Sequence, residues 1–243
     1  MAKQKSLRVG VISFSGNVGK STMSAYLLAP RMPDARIMSI ESINEDEGVD
    51  AEVLIGKQFE RVQEELLTSD SVIVDVGASN VEEFMKRMQQ FRGSHEDFDM
   101  FLIPTVKETK QIRDTITTIN ALRAMGVPAS KLRVVFNKVD VEDVLERDFA
   151  PLFSYHAAES AFALNTKAVV YASELYPRLR MYNTTPTDLV KDDTDWRAKL
   201  REARTANDEE AMLDAVDQIS MRRLATSVQE NLDAVFSALT SSK

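Results

Sequence analysis

The chain has 243 residues, 44% of them hydrophobic, which suffices for one sizeable α/β domain or two small ones. It contains no cysteine, so disulfides, thiolate metal sites and a cysteine nucleophile are excluded, and its two histidines form no metal motif. A formal charge of −8 argues against strong general affinity for DNA or anionic membranes, and with no signal-like or membrane-spanning apolar run we expect a cytoplasmic location.

The first predicted elements are a strand and a helix joined by a turn that contains glycine. The apolar, β-branched run 7–12 predicts a buried strand. Residues 23–29 predict a helix that ends before Pro30. The turn between them has the sequence Ser-Phe-Ser-Gly-Asn-Val-Gly-Lys-Ser-Thr over residues 13–22.

The chemistry of this turn indicates phosphate binding. Gly16 and Gly19 allow the backbone to approach an anion closely with its N–H groups pointing inward, and the following helix adds the positive end of its dipole. Lys20 would supply a charge to the outer phosphates, and Ser21 a hydroxyl to Mg²⁺. The full pattern G-x-x-x-x-G-K-[ST] asks for glycine where this chain has Phe14, so a simple strand–turn–helix junction is the competing interpretation.

The next elements continue the alternation of strand and helix. Residues 35–40 predict a second strand, which runs into an acidic polar loop over 41–48. A helix is predicted from Ala51 to about Thr68. Its apolar residues recur at helical spacing and are predicted to be core: Val53, Leu54, Phe59, Val62, Leu66 and Leu67.

A third strand, residues 71–77, ends in a carboxylate. An apolar strand that ends in an aspartate, here Asp75, is typical of a Walker B element, whose carboxylate helps to hold Mg²⁺ beside a phosphate loop. Gly77 would allow close approach to the terminal phosphate. The alternative is a strand that merely ends in aspartate before a turn.

The remaining pattern predicts further strands and helices. Helices are expected over 80–91 and 107–125, the latter capped by Gly126, and strands over 98–105, 132–136 and 151–155. The polar segment 191–207 is predicted to be a helix or connector, and 208–239 a helix. Such alternation indicates an α/β fold with a doubly wound, mostly parallel sheet covered on both faces.

Ligands of such sheets bind at the carboxyl ends of the strands. The glycine turn, Glu41, Asp75, Pro104 and Asn137 all follow or end predicted strands. We therefore expect them to surround one crevice.

Residues 15–22 resemble the variant phosphate loop of ParA/MinD-type ATPases, K-G-G-x-G-K-[ST]-[ST], and the resemblance in element order extends over about 7–190. Asn17 replaces the middle glycine, and Ser15 stands where the family has its signature lysine. The closest similarity within the family is to StbB-type plasmid stability proteins, on the loop wording over 14–21, Leu-Leu-Ala-Pro-Arg-Met over 27–32 and Glu-Ser-Ile-Asn-Glu-Asp-Glu-Gly over 41–48.

The resemblance implies ATP and Mg²⁺ as ligands and assigns roles to residues. Lys20, Glu41 and Asp75 would be catalytic, with Glu41 in place of the aspartate that orients the attacking water, and Ser21 and Asp75 would hold the metal. The nucleotide-binding set would be Ser15, Gly16, Asn17, Val18, Gly19, Lys20, Ser21, Thr22, Asn137 and Lys138. Because Ser15 supplies no cation in trans, slow intrinsic hydrolysis is expected, and lysine at this position should speed it if the dimer geometry survives.

Two further consequences concern organisation and partners. Residues 1–190 would form the nucleotide-binding domain, and 191–243 a helical extension packed on it. The resemblance implies a small DNA-binding plasmid partner protein, indirect or weak DNA contact, and a nucleotide-dependent homodimer as one possibility. The C-terminal helix carries an apolar stripe without basic residues between Ala225 and Thr240, so we expect it to pack on protein and not on a membrane.

Alternatives remain open at this level. Residues 137–140, Asn-Lys-Val-Asp, also fit the guanine-reading motif N-K-x-D of GTPases; otherwise Asp140 would cap a helix beginning near Val141. A nucleotide-binding scaffold with little hydrolysis is a second alternative. A small-molecule ligase or kinase on the same fold, such as the dethiobiotin synthetase type, is a third.

Overall fold

The computed structural model describes residues 6–32, 34–41 and 51–241, with only the backbone described for 51–55, and is built around one six-stranded sheet. All its pairings are parallel, in the order β2-β3-β1-β4-β5-β6. The strands are β1 (Arg8–Val11), β2 (Arg36–Ile40), β3 (Val72–Val76), β4 (Met100–Thr105), β5 (Leu132–Val139) and β6 (Val169–Tyr171). The predicted doubly wound parallel sheet is thereby confirmed.

The helix after β1, which we call α1, changes its hydrogen-bonding pattern along its length. It begins as an α-helical turn (Lys20–Thr22), continues as a π-helix (Met23–Leu28) and ends as a 3-10 turn (Ala29–Arg31). The prediction that this helix ends before Pro30 is therefore wrong: Pro30 lies within the closing 3-10 turn, where its missing N–H is tolerated.

The other helices cover both faces of the sheet. They are α2 (Ala51–Thr68), α3 (Val81–Gln90), α4 (Thr109–Ala124), α5 (Leu145–Asp148), α6 (Ala150–Glu159), α7 (Leu175–Met181), α8 (Pro186–Lys191), α9 (Trp196–Ala206) and α10 (Glu209–Thr240). Of the described residues, none belongs to a helix long and apolar enough to cross a membrane.

The core divides into two apolar clusters, one on each face of the sheet, because successive strand residues point to opposite sides. On β3, for example, Val72 and Val74 belong to the cluster beneath α2, α3, α4 and α6, whereas Ile73 belongs to the cluster beneath α1, α7 and α10. Helix α10 contributes a buried stripe to the second cluster: Met221, Ala225, Val228, Leu232, Val235 and Leu239. Its apolar stripe thus lies against protein.

Two more expectations need correction, and two lie outside the described residues. Residues 151–155 are not a strand but part of α6, and the N-cap Phe149 and Phe153, one helical turn apart, both pack on Phe136. Leu67, predicted to be core, is 68% exposed because α2 turns it away from the sheet. The side chains of Val53 and Leu54 and the acidic loop 42–48 are not among the described residues.

Candidate nucleotide-binding site

The glycine turn lies at the centre of the sheet's carboxyl edge. It follows β1, which pairs with β3 on one side and β4 on the other. Two residues of the turn adopt left-handed backbone angles, Asn17 at φ 59° and Gly19 at φ 94°. Asparagine and glycine are the residue types that tolerate this region, so the sequence of the turn suits its geometry.

Lys20 folds back over this turn. Its Nζ donates hydrogen bonds to the carbonyl oxygens of Ser15 at 2.9 Å and Ser13 at 3.4 Å, and the residue is buried. Burial lowers the pKa of Lys20, and the neighbouring Asp75 carboxylate partly offsets this effect. The ammonium is thus held inside the turn, at the place where phosphate oxygens would need a cation.

Asp75 meets Lys20 from the adjacent strand. It is buried on β3, in register with Val11 of β1, which immediately precedes the turn. Burial raises the pKa of Asp75; hydrogen bonds from the Ser24 and Ser21 hydroxyls and the charge of Lys20 lower it, and Glu41 raises it. These contributions show that Asp75, Ser21, Lys20 and Glu41 converge on one place.

The donors gathered there are suitable for a hard cation. A carboxylate, from Asp75, and a hydroxyl, from Ser21, are oxygen ligands of the kind that Mg²⁺ prefers when substrate phosphates and water complete its coordination. Within residues 6–32, 34–41 and 51–241, no group of three or more histidine, aspartate or glutamate side chains forms a protein-only metal cluster. The donor pair of Asp75 and Ser21 suits a metal whose remaining ligands are phosphate oxygens and water.

Gly77 and Glu41 close the crevice on the side of β2. The N–H of Gly77 donates to the carbonyl oxygen of Ile40 at 2.9 Å, and a Cβ at Gly77 would lie 3.0 Å from that oxygen. The same Cβ would lie 3.8 Å from Cγ of Glu41, whose side chain is exposed. Absence of a side chain at Gly77 thus lets β2 and β3 end close together.

Asn137 and Lys138 support the turn from β5. Asn137 Nδ2 donates to the carbonyl oxygen of Val18 at 2.8 Å, and Lys138 Nζ donates to that of Asn17 at 2.9 Å. Lys138 has a left-handed φ of 55°, and the pairing of β5 with β6 is irregular there. Both side chains of this pair, predicted to contact nucleotide, bind the backbone of the turn itself.

Ser15, the residue in place of the signature lysine, is tied to α4. Its hydroxyl donates to the Asp114 carboxylate, and the N–H of the preceding Phe14 donates to Thr118 Oγ1 at 3.2 Å. Asp114 and Thr118 were not singled out from the sequence. Their spacing of four residues places them on one face of α4, and this spacing is the signal that could have identified them as a pair.

Asp140 does not cap a helix, so that interpretation is wrong. Helix α5 begins only at Leu145, with Val144 as its N-cap. The Asp140 carboxylate instead accepts a hydrogen bond from Lys107 Nζ at 2.8 Å, and Lys107 also pairs with Asp143 at 3.0 Å. Asp140, the residue after β5, is thus held by a cation that lies two residues before α4.

Most sequence-predicted site residues do converge on this carboxyl edge. Buried members are Ser15, Val18, Lys20, Thr22, Asp75 and Asn137; exposed members are Gly16, Asn17, Ser21, Glu41 and Lys138. The buried set forms the floor of the crevice. The exposed set leaves backbone and side-chain donors accessible to a ligand.

Comparison with known proteins supplies the fold family. No protein-family profile matches the sequence, and no curated protein does. Apo McdA from Cyanothece superposes with a TM-score of 0.53 at 12% identity, over 77% of this chain and 94% of its own. The MinD cell division protein of Aquifex aeolicus superposes with a TM-score of 0.50 at 15% identity, over 90% and 97%. The fold is that of the ParA/MinD-type P-loop ATPases.

The turn of residues 13–19 and the start of α1 lie directly after β1, where the sequence resemblance predicts the phosphate loop. The two positions at which this chain departs from the family's loop sequence, Ser15 and Asn17, are each hydrogen-bonded to another element. Ser15 is bound by Asp114, and the backbone around Asn17 is bound by Lys138. Residues from α4 and β5 therefore fix the loop's shape.

Proposed function

We propose that this protein binds Mg²⁺-ATP and hydrolyses it slowly, as a ParA/MinD-like ATPase of the StbB type. The observation that carries the proposal is the convergence of Lys20, Ser21 and Asp75 around a turn whose backbone angles suit anion binding. A cation, a hydroxyl and a carboxylate at the carboxyl edge of a parallel sheet are the parts that phosphoryl transfer to water requires.

Each residue has a distinct task in this proposal. The N–H groups of the turn and the Lys20 ammonium bind the phosphates, with Lys20 exchanging its carbonyl partners for phosphate oxygens. Ser21 and Asp75 would hold Mg²⁺, which when bound neutralises charge on the phosphates. Glu41, at the end of β2, would accept a hydrogen bond from the attacking water and orient it.

The cellular role that we propose is plasmid stability, partition or conjugation, exerted through a small DNA-binding partner protein. The support is the likeness of residues 14–21, 27–32 and 41–48 to StbB-type proteins, together with the ParA/MinD fold. The net charge of −8 favours DNA contact through the partner. We further propose that residues 1–190 form the nucleotide-binding domain and 191–243 an extension that packs on it.

Calorimetric titration with Mg²⁺-ATP tests nucleotide binding. Lys20→Ala removes a charge-assisted phosphate contact worth about 1.5–3 kcal/mol, so affinity should fall by about 10- to 100-fold. Lys57→Ala, which removes an exposed lysine on α2, is the matched control and should bind as the unmodified protein does. Unchanged affinity in Lys20→Ala would refute the site.

A GTP-specific protein is the second candidate, and one observation favours it. Asn137 and Lys138 hold the phosphate loop, and Asp140 follows them at the same strand end. A carboxylate accepts hydrogen bonds only, so near a base edge it would match the two adjacent donors of guanine and not the donor–acceptor edge of adenine. The engagement of Asp140 by Lys107 is the reason for placing ATP first.

A scaffold with little hydrolysis is the remaining alternative, and it is favoured by the pairing of Ser15 with Asp114. Phosphate release measured with the protein alone, with DNA, and with the neighbouring gene's product separates the two. Turnover that rises on adding partner and DNA supports the ATPase. Binding without turnover in every mixture supports the scaffold.

A further inference from the structure

Helices α9 and α10 form an antiparallel hairpin whose α9 arm is basic. Arg197, Arg201 and Arg204 follow one another at intervals of four and three residues, so they share one face of α9. All three are exposed. In a chain with a net charge of −8, this face is a local concentration of positive charge.

The first turns of α10 carry the opposite charge and exposed apolar side chains. Leu213 is 70% exposed and Val216 is 49% exposed, and they lie three residues apart on one face. Glu209, Glu210 and Asp214 surround them and are also exposed. We call this surface the acidic stripe, defined as the outer face of residues 209–217.

The end of α7 lies beside the acidic stripe and contributes apolar and basic side chains, among them Arg178, which pairs with Asp217 at 3.8 Å. Tyr182 donates a hydrogen bond to Asp217 of α10 at 2.8 Å, which holds the end of α7 beside the stripe. The neighbouring Met181 is 78% exposed. The apolar surface near the stripe is therefore contributed by two elements and not by one isolated residue.

The two arms do not neutralise each other within one molecule. Among the ion pairs formed by the described residues, none joins α9 to α10, although the two helices are in contact and Ala203 and Ala215 are buried. Arg201 has a 3.9 Å contact with Asp195, but both side chains are about two-thirds exposed, so the pair contributes little. Charges of both signs are thus directed outward.

We propose that the hairpin is a self-association surface on which α9 of one copy binds the acidic stripe of a second copy. A two-fold axis brings each basic arm onto the other molecule's acidic arm, so one contact is made twice. The arginine stems would cover Leu213 and Val216 while their guanidinium groups meet the carboxylates. Anionic lipid or nucleic acid would match α9 but would be repelled by the adjacent stripe.

This surface is separate from the nucleotide crevice. Helix α10 joins the core through its later residues, from Met221 to Leu239, whereas the stripe lies in its first turns. The dimer should therefore form without nucleotide. The proposal goes beyond the ATPase function and stands or fails independently of it.

Sedimentation equilibrium of the full chain without nucleotide, at low and high salt, tests the proposal. The unmodified protein should dimerise with increasing concentration and dissociate in high salt. Arg201→Glu and Asp214→Arg should each weaken the dimer at least ten-fold, because each places like charges opposite one another. The double variant exchanges the charges and should restore the dimer. Arg92→Glu, at an exposed site beyond α3, is the control for the change in net charge.

Circular dichroism melts of each variant separate loss of the dimer from loss of the fold. A protein that stays monomeric at every concentration would overturn the proposal, as would a dimer unaffected by both single variants. So would a dimer that needs ATP and is lost in Lys20→Ala but kept in Arg201→Glu, because its interface would lie at the crevice. A monomer that binds duplex DNA or anionic vesicles through α9 would also overturn it.

Discussion

The carboxamide nitrogen of Asn137 lies 2.8 Å from the carbonyl oxygen of Val18, and Gly19 is the residue that makes room for it. A Cβ at Gly19 would lie 2.2 Å from that nitrogen. Gly19 also has a φ of 94°, which side chains disfavour. Position 19 therefore requires glycine for two reasons: the left-handed backbone conformation, and the closeness of the Asn137 side chain from β5.

Gly19→Ala should lower the free energy of unfolding by about 2 kcal/mol or more, from left-handed strain and overpacking together. Gly16→Ala is the matched control, because a Cβ there meets nothing within 4 Å. Its cost should stay within about 0.5 kcal/mol. Urea unfolding without nucleotide measures the free energy of unfolding of both variants. Equal decreases in the two variants would contradict the close packing of Asn137 against Gly19.

The hydrogen bond between Ser15 and Asp114 leads us to expect slow turnover. The protein alone should release phosphate at about 10⁻³ s⁻¹ or less, the range of NTPases that lack an added cation. The structure changes the expectation from sequence that lysine at position 15 speeds turnover: Ser15→Lys alone should give no acceleration, because the Asp114 carboxylate would hold the new ammonium. Combining Ser15→Lys with Asp114→Asn should exceed both single variants. Rapid turnover by the unmodified protein would be the result that argues against this account.

The ion pair between Lys107 and Asp140 should set the affinity for GTP relative to ATP. We expect ATP to bind more tightly than GTP, and Asp140→Ala to leave ATP affinity unchanged. Lys107→Ala releases the Asp140 carboxylate and should improve GTP affinity relative to ATP by about three- to five-fold, the scale of an exposed ion pair. Competition binding with labelled nucleotide measures the ratio. If GTP outcompetes ATP and Asp140→Ala reverses the order, the preference is for guanine.

Asp192 should control the fluorescence of Trp196, the single tryptophan, in acid. Trp196 Nε1 donates to Asp192 Oδ2 at 2.5 Å, and hydrogen bonds, first from Thr194 and then from Trp196, lower the pKa of Asp192 to about 2. Because the folded pKa is below the ordinary value of 3.8, the stabilisation is complete above about pH 4 and is lost as pH falls towards 2.

The expected observation is a change in Trp196 emission over that acidic range. In Asp192→Asn this step should disappear, whereas Asp193→Asn, which alters the exposed neighbouring carboxylate, should keep it. Thermal melts at each pH establish that the chain is still folded. Identical titrations of both variants would show that Asp192 is not the group responsible.

Local pattern predicted the strands that build the site, because buried parallel strands are continuous apolar runs. Runs ending near Val11, Asp75 and Thr105 are strands within a few residues of the prediction. The length of the apolar run led to the wrong prediction of a strand over 151–155, because five mostly apolar residues also suit a buried helix. There the spacing of Phe149 and Phe153, one helical turn apart, was the better indicator.

The contacts that shape the loop could not be predicted in this way. Asp114 lies 99 residues from Ser15 in sequence, and Lys138 lies 121 from Asn17. Periodicity assigns a residue to a face of its own element but does not say which distant group it meets. The sequence placed Asn137 and Lys138 at the crevice, whereas their bonding to the loop backbone follows only from the packing of β5 against it.

Helix α10 can act as a lever arm, because this single helix connects the end of α1 to the free end of the α9–α10 hairpin. Arg31, which closes α1, pairs with Asp233 at 2.6 Å and donates to the carbonyl oxygen of Gln229 at 3.3 Å. From Asp233 to Glu209 the helix runs about 36 Å at 1.5 Å per residue. A tilt of about 5° at Arg31 would therefore carry the tip through about 3 Å, so a small displacement of α1 would reach the hairpin as a movement comparable to the length of a hydrogen bond.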